Sequence, residues 1–198
     1  MSEQRIDWIE ARRRSAREAI VDAAWAIVRD DGLAGLALRD LARRAGITTP
    51  TVYAYFDSKN SIYDAMFERA ATEFDEQMRQ PYDTSEPHAV LVAGVRRFVE
   101  FCTSDIARYQ LLFQHTIPDF EPRPESLAPA ARALDFLRER LADNGVTDPR
   151  HVDMWTALTT GLVDQQISND PGGDRWTSLI EDLVTMFLAF CQPKGPRP

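Results

Sequence analysis

Residues 38–67 read LRDLARRAGITTPTVYAYFDSKNSIYDAMF, and the periodicities inside this stretch decide the fold. Leu36, Leu38, Leu41, Ala42 and Ala45 make a two-turn amphipathic segment that stops at Gly46, where a left-handed backbone costs glycine little. Thr48 and Thr49 can cap a third helix with Pro50 in its first turn; Val52, Tyr53 and Phe56 give it apolar and aromatic contacts before Asp57-Ser58 breaks the run. Upstream, Ala16, Ile20, Ala23, Ala24, Ile27 and Val28 recur at helical spacing and end at Asp30-Asp31-Gly32. A short helix, a glycine turn and a short capped helix on a longer first helix form the layout of a helix-turn-helix unit.

Downstream the pattern stays helical. Ile62, Tyr63, Met66, Phe67, Ala70 and Phe74 predict a fourth helix up to Pro81-Tyr82-Asp83. Ser85-Glu86-Pro87 opens a fifth, whose Val90, Leu91, Val95, Phe98, Val99, Phe101 and Cys102 are apolar on most sides and predict a central position. Ile106 to Phe113 is a shorter helix. Pro118, Pro122 and Pro124 then impose a loop over roughly residues 114–125 that can serve as a lid. Leu127 to Leu141 is helical and closes at Asn144-Gly145, and Asp148-Pro149 opens the next helix with cap and proline in the expected order. The last two helices, about 149–169 and 174–191, flank Asn169-Asp170-Pro171-Gly172-Gly173 and should pack antiparallel; the tail 192–198 is proline-rich and expected to be disordered. No strand is needed. The expected fold is all-α with about nine helices: a three-helix DNA-binding domain over residues 1–60, then a ligand-binding and dimerisation bundle over 61–198.

The 198 residues carry a formal charge of −8, which argues against a nucleic-acid partner if the charge is spread evenly. It is not. Residues 1–60 hold ten basic and nine acidic side chains; residues 61–198 hold thirteen and twenty-two. Arg5, Arg12, Arg13, Arg14 and Arg17 precede the first apolar-periodic helix as a basic arm. No run is long and apolar enough for a membrane span, and the N-terminus lacks the apolar centre of a signal peptide, so a cytoplasmic location is expected. Cys102 and Cys191 lie in apolar helical segments and read as buried thiols, not as a disulfide or metal pair.

The stretch from Ile20 to Phe67 resembles the tetracycline-repressor (TetR) family of transcriptional regulators. The resemblance is carried above all by Thr51-Val52-Tyr53-Ala54-Tyr55-Phe56-Asp57-Ser58-Lys59: a Thr-apolar-Tyr triplet, a variable residue, two aromatics, a two-residue break and a lysine. It implies a homodimer on a palindromic DNA operator, with a ligand that favours a conformer in which helix four tilts and separates the two recognition helices. One departure is Ala37, where the family usually has a threonine that caps helix two and touches phosphate.

The residues themselves suit that partner. A two-turn helix fits the major groove and its N-terminal side chains reach base edges. Thr48, Thr49 and Thr51 offer hydroxyls, Pro50 and Ala54 offer apolar surface to a thymine methyl, Tyr53 and Tyr55 can reach backbone or base, and Arg39 could pair with guanine. Val52, Ile47 and Phe56 are expected to face the small core instead. Lys59 opposes the dipole of helix four from its first turn, a mismatch that a phosphate would relieve.

The anionic half must do something other than contact phosphate. Trp176, Leu179, Ile180, Leu183, Val184, Phe187, Phe190 and Cys191, with Val152, Trp155, Thr159, Leu162, Val163 and Gln166 on the preceding helix, form stripes wide enough to predict a four-helix dimer interface. A small-molecule pocket is expected among Phe98, Cys102, Tyr109, Phe113, His115, Phe120, Met154, Trp155 and Leu158, although each suits plain core as well. His88, His115 and His151 are scattered and no nucleophile elbow, zinc motif, phosphate loop or dinucleotide fingerprint is present, so no catalytic residue, metal or cofactor is expected. The alternatives are an activator, or a helical ligand-binding or adaptor protein that keeps the motif only as scaffold.

Overall fold

The computed structural model describes residues 2–192, with side chains from residue 10 onward and at Trp8. The described residues are all-helical: α1 Ser2–Asp31, α2 Leu38–Arg44, α3 Thr49–Tyr53, α4 Lys59–Met78, α5 Pro87–Ser104, α6 Ile106–Phe113, α7 Pro124–Ala142, α8 Pro149–Asn169 and α9 Ile180–Cys191, with single 3-10 turns at Leu33–Gly35 and Thr177–Leu179. The prolines at 193, 196 and 198, expected to keep the tail irregular, lie outside the described residues.

The chain divides into two compact units. The first holds residues 1–70 and 110–127, the second residues 71–109 and 128–198. This differs from a cut after residue 60, because the first three turns of α4 and a segment from the middle of the chain join the N-terminal helices.

In the first unit Ile20, Ala24, Ile27 and Val28 of α1, Leu33 and Leu36 of the connection, Leu41 of α2, Val52 of α3 and Ile62 and Met66 of α4 are buried in one core. Ile47, expected in that core, is half-buried. The helix ends follow local chemistry. Gly46 takes φ 68 between α2 and α3, and Thr48 caps α3 by accepting from the Thr51 amide at 3.3 Å. The basic stretch differs from expectation: it is not an arm ahead of the helix but part of α1, continuous back to Ser2.

Ala37 occupies the N-cap of α2 with φ −110 and ψ 132 and makes no side-chain cap bond. That extended geometry suits a β-branched residue, so Ala37→Thr is expected to raise the unfolding free energy by about 1 kcal/mol, read as a higher denaturant midpoint at unchanged slope.

In the second unit α5 packs against both α8 and α9. Leu91, Val95 and Val99 of α5 are buried at four-residue spacing, whereas Arg96 and Glu100 face out. The central position expected for α5 therefore holds for one side of it. The ring of Phe187 on α9 meets His151 and Trp155 on α8, near the end of one helix and the start of the other, as antiparallel packing requires. Glu86 and Asp148 cap α5 and α8 from the residue before a proline. Pro124 does not belong to the loop; it opens α7, and Pro129 lies inside that helix.

Candidate nucleic-acid interface

Helix α3 is five residues long and presents two different faces. Val52 is 1% exposed and Phe56, just beyond the helix, 2%, so they fix α3 to the core. Tyr53 is 53% exposed, and Thr48, Pro50 and Ala54 share its exposure. Thr49, Thr51 and Tyr55 are half-buried. The Thr48 and Thr51 hydroxyls lie 2.8 Å apart, so the cap bond and the hydroxyl pair together hold the start of the helix. On α2 Arg39 is exposed, one position ahead of the Asp40–Arg43 pair at 2.8 Å.

Lys59 is the first residue of α4, as the sequence indicates. Its ammonium sits 5.4 Å from the centre of the Tyr63 ring, which supplies part of the compensation that the helix dipole withholds. Tyr63 is buried and donates to the Leu33 carbonyl at 2.5 Å, and burial pushes its phenol up to about 12. Ser58 and Ser61 cap α4 reciprocally, each amide donating to the other's hydroxyl at 3.2 and 3.1 Å. Hydrogen bonds from Ser61 and Ser58 hold the Asp57 carboxyl below its usual range.

The loop expected to act as a lid is fastened to α4. Phe120 is buried with its ring 5.7 Å from that of Tyr63, and Asn60 donates to the Asp119 carbonyl at 3.0 Å. Asp64, 2% exposed, receives the Arg123 amide at 2.8 Å, the Arg123 Nε at 2.7 Å and the Ser126 hydroxyl at 2.8 Å. Burial acts to raise the Asp64 carboxyl, but these donors and the Arg123 charge outweigh it and hold the group below its usual range. Sequence reasoning missed this latch, because nothing local links residues 64 and 123.

The sequence profile of the bacterial regulatory proteins of the tetR family matches residues 20–66, from the middle of α1 to the second turn of α4. Residues 20–66 are thus a tetR-family regulatory-protein domain. Over 132 residues it is 26% identical to the HTH-type transcriptional activator FasR of Mycolicibacterium smegmatis, covering 66% of this chain and 59% of that one. Over 53 residues it is 38% identical to the class D tetracycline repressor of Escherichia coli, covering 27% and 24%. The match thus spans about three fifths and one quarter of the length of these two relatives. The fold is similar to that of the transcriptional regulator FadR of Bacillus subtilis, solved in complex with stearoyl-CoA, with TM-score 0.70 at 18% identity over 87% of this chain and 97% of that one.

The residues expected to line a pocket are distributed over both units. In the second unit Cys102, Tyr109 and Trp155 are core, at 0%, 1% and 4% exposure, and burial pushes the Cys102 thiol well above its usual range. The Tyr109 hydroxyl donates to Asp164 at 2.7 Å. Phe98 meets the Phe74 ring at 6.0 Å, Leu158 is half-buried, and Met154 turns outward at 37% exposure. In the first unit Phe113 is half-buried. His115 and Phe120 border a small cavity of about 20 Å3 with Phe67, Leu111 and Ile117, room for a single water.

The expected dimer stripe needs a larger correction. Leu162, Ile180, Val184 and Phe187 are buried inside the protomer, at 6%, 1%, 0% and 1% exposure, and Trp176 and Leu183 are half-buried. Gln166 is also buried: its amide donates to the Asp170 and Gly173 carbonyls and accepts from the Trp176 and Thr177 amides, so its hydrogen bonds are spent on the α8–α9 turn. Of the expected set Leu179 and Phe190 are exposed, and they align with Met186 on the outer face of α9. Cys191 is half-buried, less enclosed than expected. Among the described residues no helix is long and apolar enough to cross a membrane, and no three His, Cys, Asp or Glu side chains are gathered to hold a metal ion.

Proposed function

We propose that this protein is a homodimeric, sequence-specific transcriptional repressor of the cytoplasm that occupies a palindromic operator and is released by a small apolar or aromatic ligand. The observation that carries the reading is the two-faced recognition helix: Val52 is buried while Tyr53 is more than half exposed beside Thr48, Thr49, Pro50 and Ala54. A large aromatic side chain left in solvent beside a packed core, with no partner among the described residues, suits a groove surface. Arg39, Thr51, Tyr55 and Lys59 border the same surface in this reading. Selection of binding duplexes from a random pool, followed by fluorescence anisotropy across a salt series, tests it. Specificity that survives added salt is the expected result, and equal binding to selected and scrambled duplexes would overturn the reading.

Dimerisation is supported by the outward apolar residues of the last two helices. Leu179, Met186 and Phe190 are 44%, 59% and 56% exposed, and Met154, Ala157 and Gly161 line the outer side of α8. A matching face on a second copy would bury them and set two recognition helices one DNA turn apart. Met186→Glu combined with Phe190→Glu is expected to give a monomer in sedimentation velocity and to weaken operator binding at least tenfold; an unchanged dimer would remove this face from the interface.

The stearoyl-CoA bound by FadR, a protein of the same fold, supports an apolar effector, which would act by shifting α4 and with it α3. A second reading, activation, is favoured by the name of FasR as an activator. Transcription in vitro from a template carrying the selected site separates the two: the repressor reading expects less transcript with added protein, and more transcript would favour the activator.

A further inference from the structure

Arg13, Arg17 and Arg123 line one open cleft of about 250 Å3, whose other wall includes Tyr53 and Ala54 at the end of the recognition helix. We propose that this cleft is a clamp for the DNA backbone, in which a phosphodiester beside the occupied major groove sits between Arg13 and Arg17 with Arg123 at its edge. The inference rests on the DNA-binding reading and extends the contact surface beyond the helix-turn-helix, to the middle of α1 and to the segment before α7.

Four observations carry it. Arg13 and Arg17 are four residues apart on α1 and so share a face, an arrangement that costs helix stability unless an anion lies between them. Arg13 is exposed and has no hydrogen-bonding or ion-pair partner among the described residues. Arg17 is pre-set: its guanidinium donates to the Tyr55 carbonyl at 3.1 Å and stacks 4.2 Å from the Phe56 ring, which occupies one of its five N–H donors and leaves others for a ligand. Arg123 is fixed on Asp64 through Nε while its side chain is 59% exposed, so one edge of its fork is held and the other remains available.

Position selects the anion. The major groove is about 12 Å wide, so a helix seated in it has a sugar-phosphate backbone on each side. A cleft that begins at Tyr53 and Ala54 lies where one of those backbones must pass. Asp57 in the cleft wall and Asp64, paired with Arg123, oppose the three guanidiniums with two charges, and the balance stays positive in a chain whose net charge is −8. A backbone contact carries no sequence information, so its signature is a uniform loss across DNA sequences.

The experiment is anisotropy of the full chain against a selected duplex and a scrambled one, with wild type, Arg13→Gln and Arg13→Lys. Arg13 packs against nothing in the core, so Arg13→Gln leaves folding intact. It is expected to weaken both duplexes by the same factor and to lower the log–log salt slope by about one per clamp, so that affinity lost between ~50 and ~200 mM salt shrinks about threefold for each clamp and about tenfold for a dimer with two. Arg13→Lys keeps the slope. Unchanged affinity and slope in Arg13→Gln, or a loss confined to the selected duplex, would overturn the clamp while leaving DNA binding standing; a wild type that binds neither duplex would sink both readings. Inorganic phosphate titrated into the protein alone by calorimetry is expected to give no saturable binding, and a saturable signal lost in Arg13→Gln would overturn the DNA assignment in favour of a free phosphate ligand.

Discussion

A chain carrying Arg39→Ala and Tyr53→Ala is expected to lose operator affinity by at least a hundredfold while its stability and assembly stay those of wild type. Both side chains are exposed, neither supports the core, and alanine is the better helix former at either place, so the folded unit has nothing to lose. The loss falls on binding. A guanidinium paired with guanine contributes about 1–3 kcal/mol of discrimination, and a phenol donating to backbone or base adds about 1 kcal/mol. Each is lost twice when two subunits bind two half-sites, and every 1.4 kcal/mol is about tenfold. Anisotropy against the selected duplex and sedimentation velocity on the same sample measure the two halves of the expectation. An affinity within about threefold of wild type would leave the helix-turn-helix as scaffold and favour the adaptor reading.

The double variant also separates what could be read in the sequence from what could not. Helix α3 was legible because its determinants are local: Gly46 for the turn, Thr48 for the cap, and Val52 and Phe56 at a spacing that puts them on one side. The caps of α5 and α8 were legible for the same reason. Periodicity on α8 and α9 established that one face is apolar, but not which surface covers it. Ile180, Val184 and Phe187 have the hydropathy of interface residues and are covered by their own protomer, whereas Leu179, Met186 and Phe190 lie about a third of a turn round the helix, in solvent. The difference depends on where α5 sits, which is tertiary information. The extension of α1 to Ser2 was missed because its first turns carry no apolar stripe, the signal on which helix prediction leans. The fastening of the loop to α4 was out of reach, since Asp64 and Arg123 are 59 residues apart and an arginine or aspartate in isolation reads as surface.

That fastening sets the second large expectation. Asp64→Ala is expected to cost about 2–3 kcal/mol of unfolding free energy at neutral pH. The carboxylate is buried and accepts three hydrogen bonds of 2.7–2.8 Å, two of them charge-assisted or from a buried hydroxyl, so its loss strands Ser126 and frees the loop. The cost stays below that of a fully buried pair because the Arg123 side chain, 59% exposed, can be rehydrated. The sign with pH follows from the direction of the shift. A carboxyl held below its ordinary value near 3.8 contributes stability that is complete above that value and is lost as pH falls through the folded one. Denaturant unfolding of wild type and Asp64→Ala should therefore differ by the full amount at pH 7, and the gap should narrow as pH falls below the ordinary value near 3.8. A gap that persists in acid would mean that Asp64 acts by filling space and not by its charge. Amide exchange locates the effect: protection should fall at Phe120 and Arg123, while the core amides of Val52 and Leu41 keep theirs relative to global unfolding. Since Arg123 also borders the cleft beside the recognition helix, the same variant links the two sites. If the latch positions the guanidinium for phosphate, Asp64→Ala weakens DNA binding uniformly across sequences even at temperatures where the variant is fully folded.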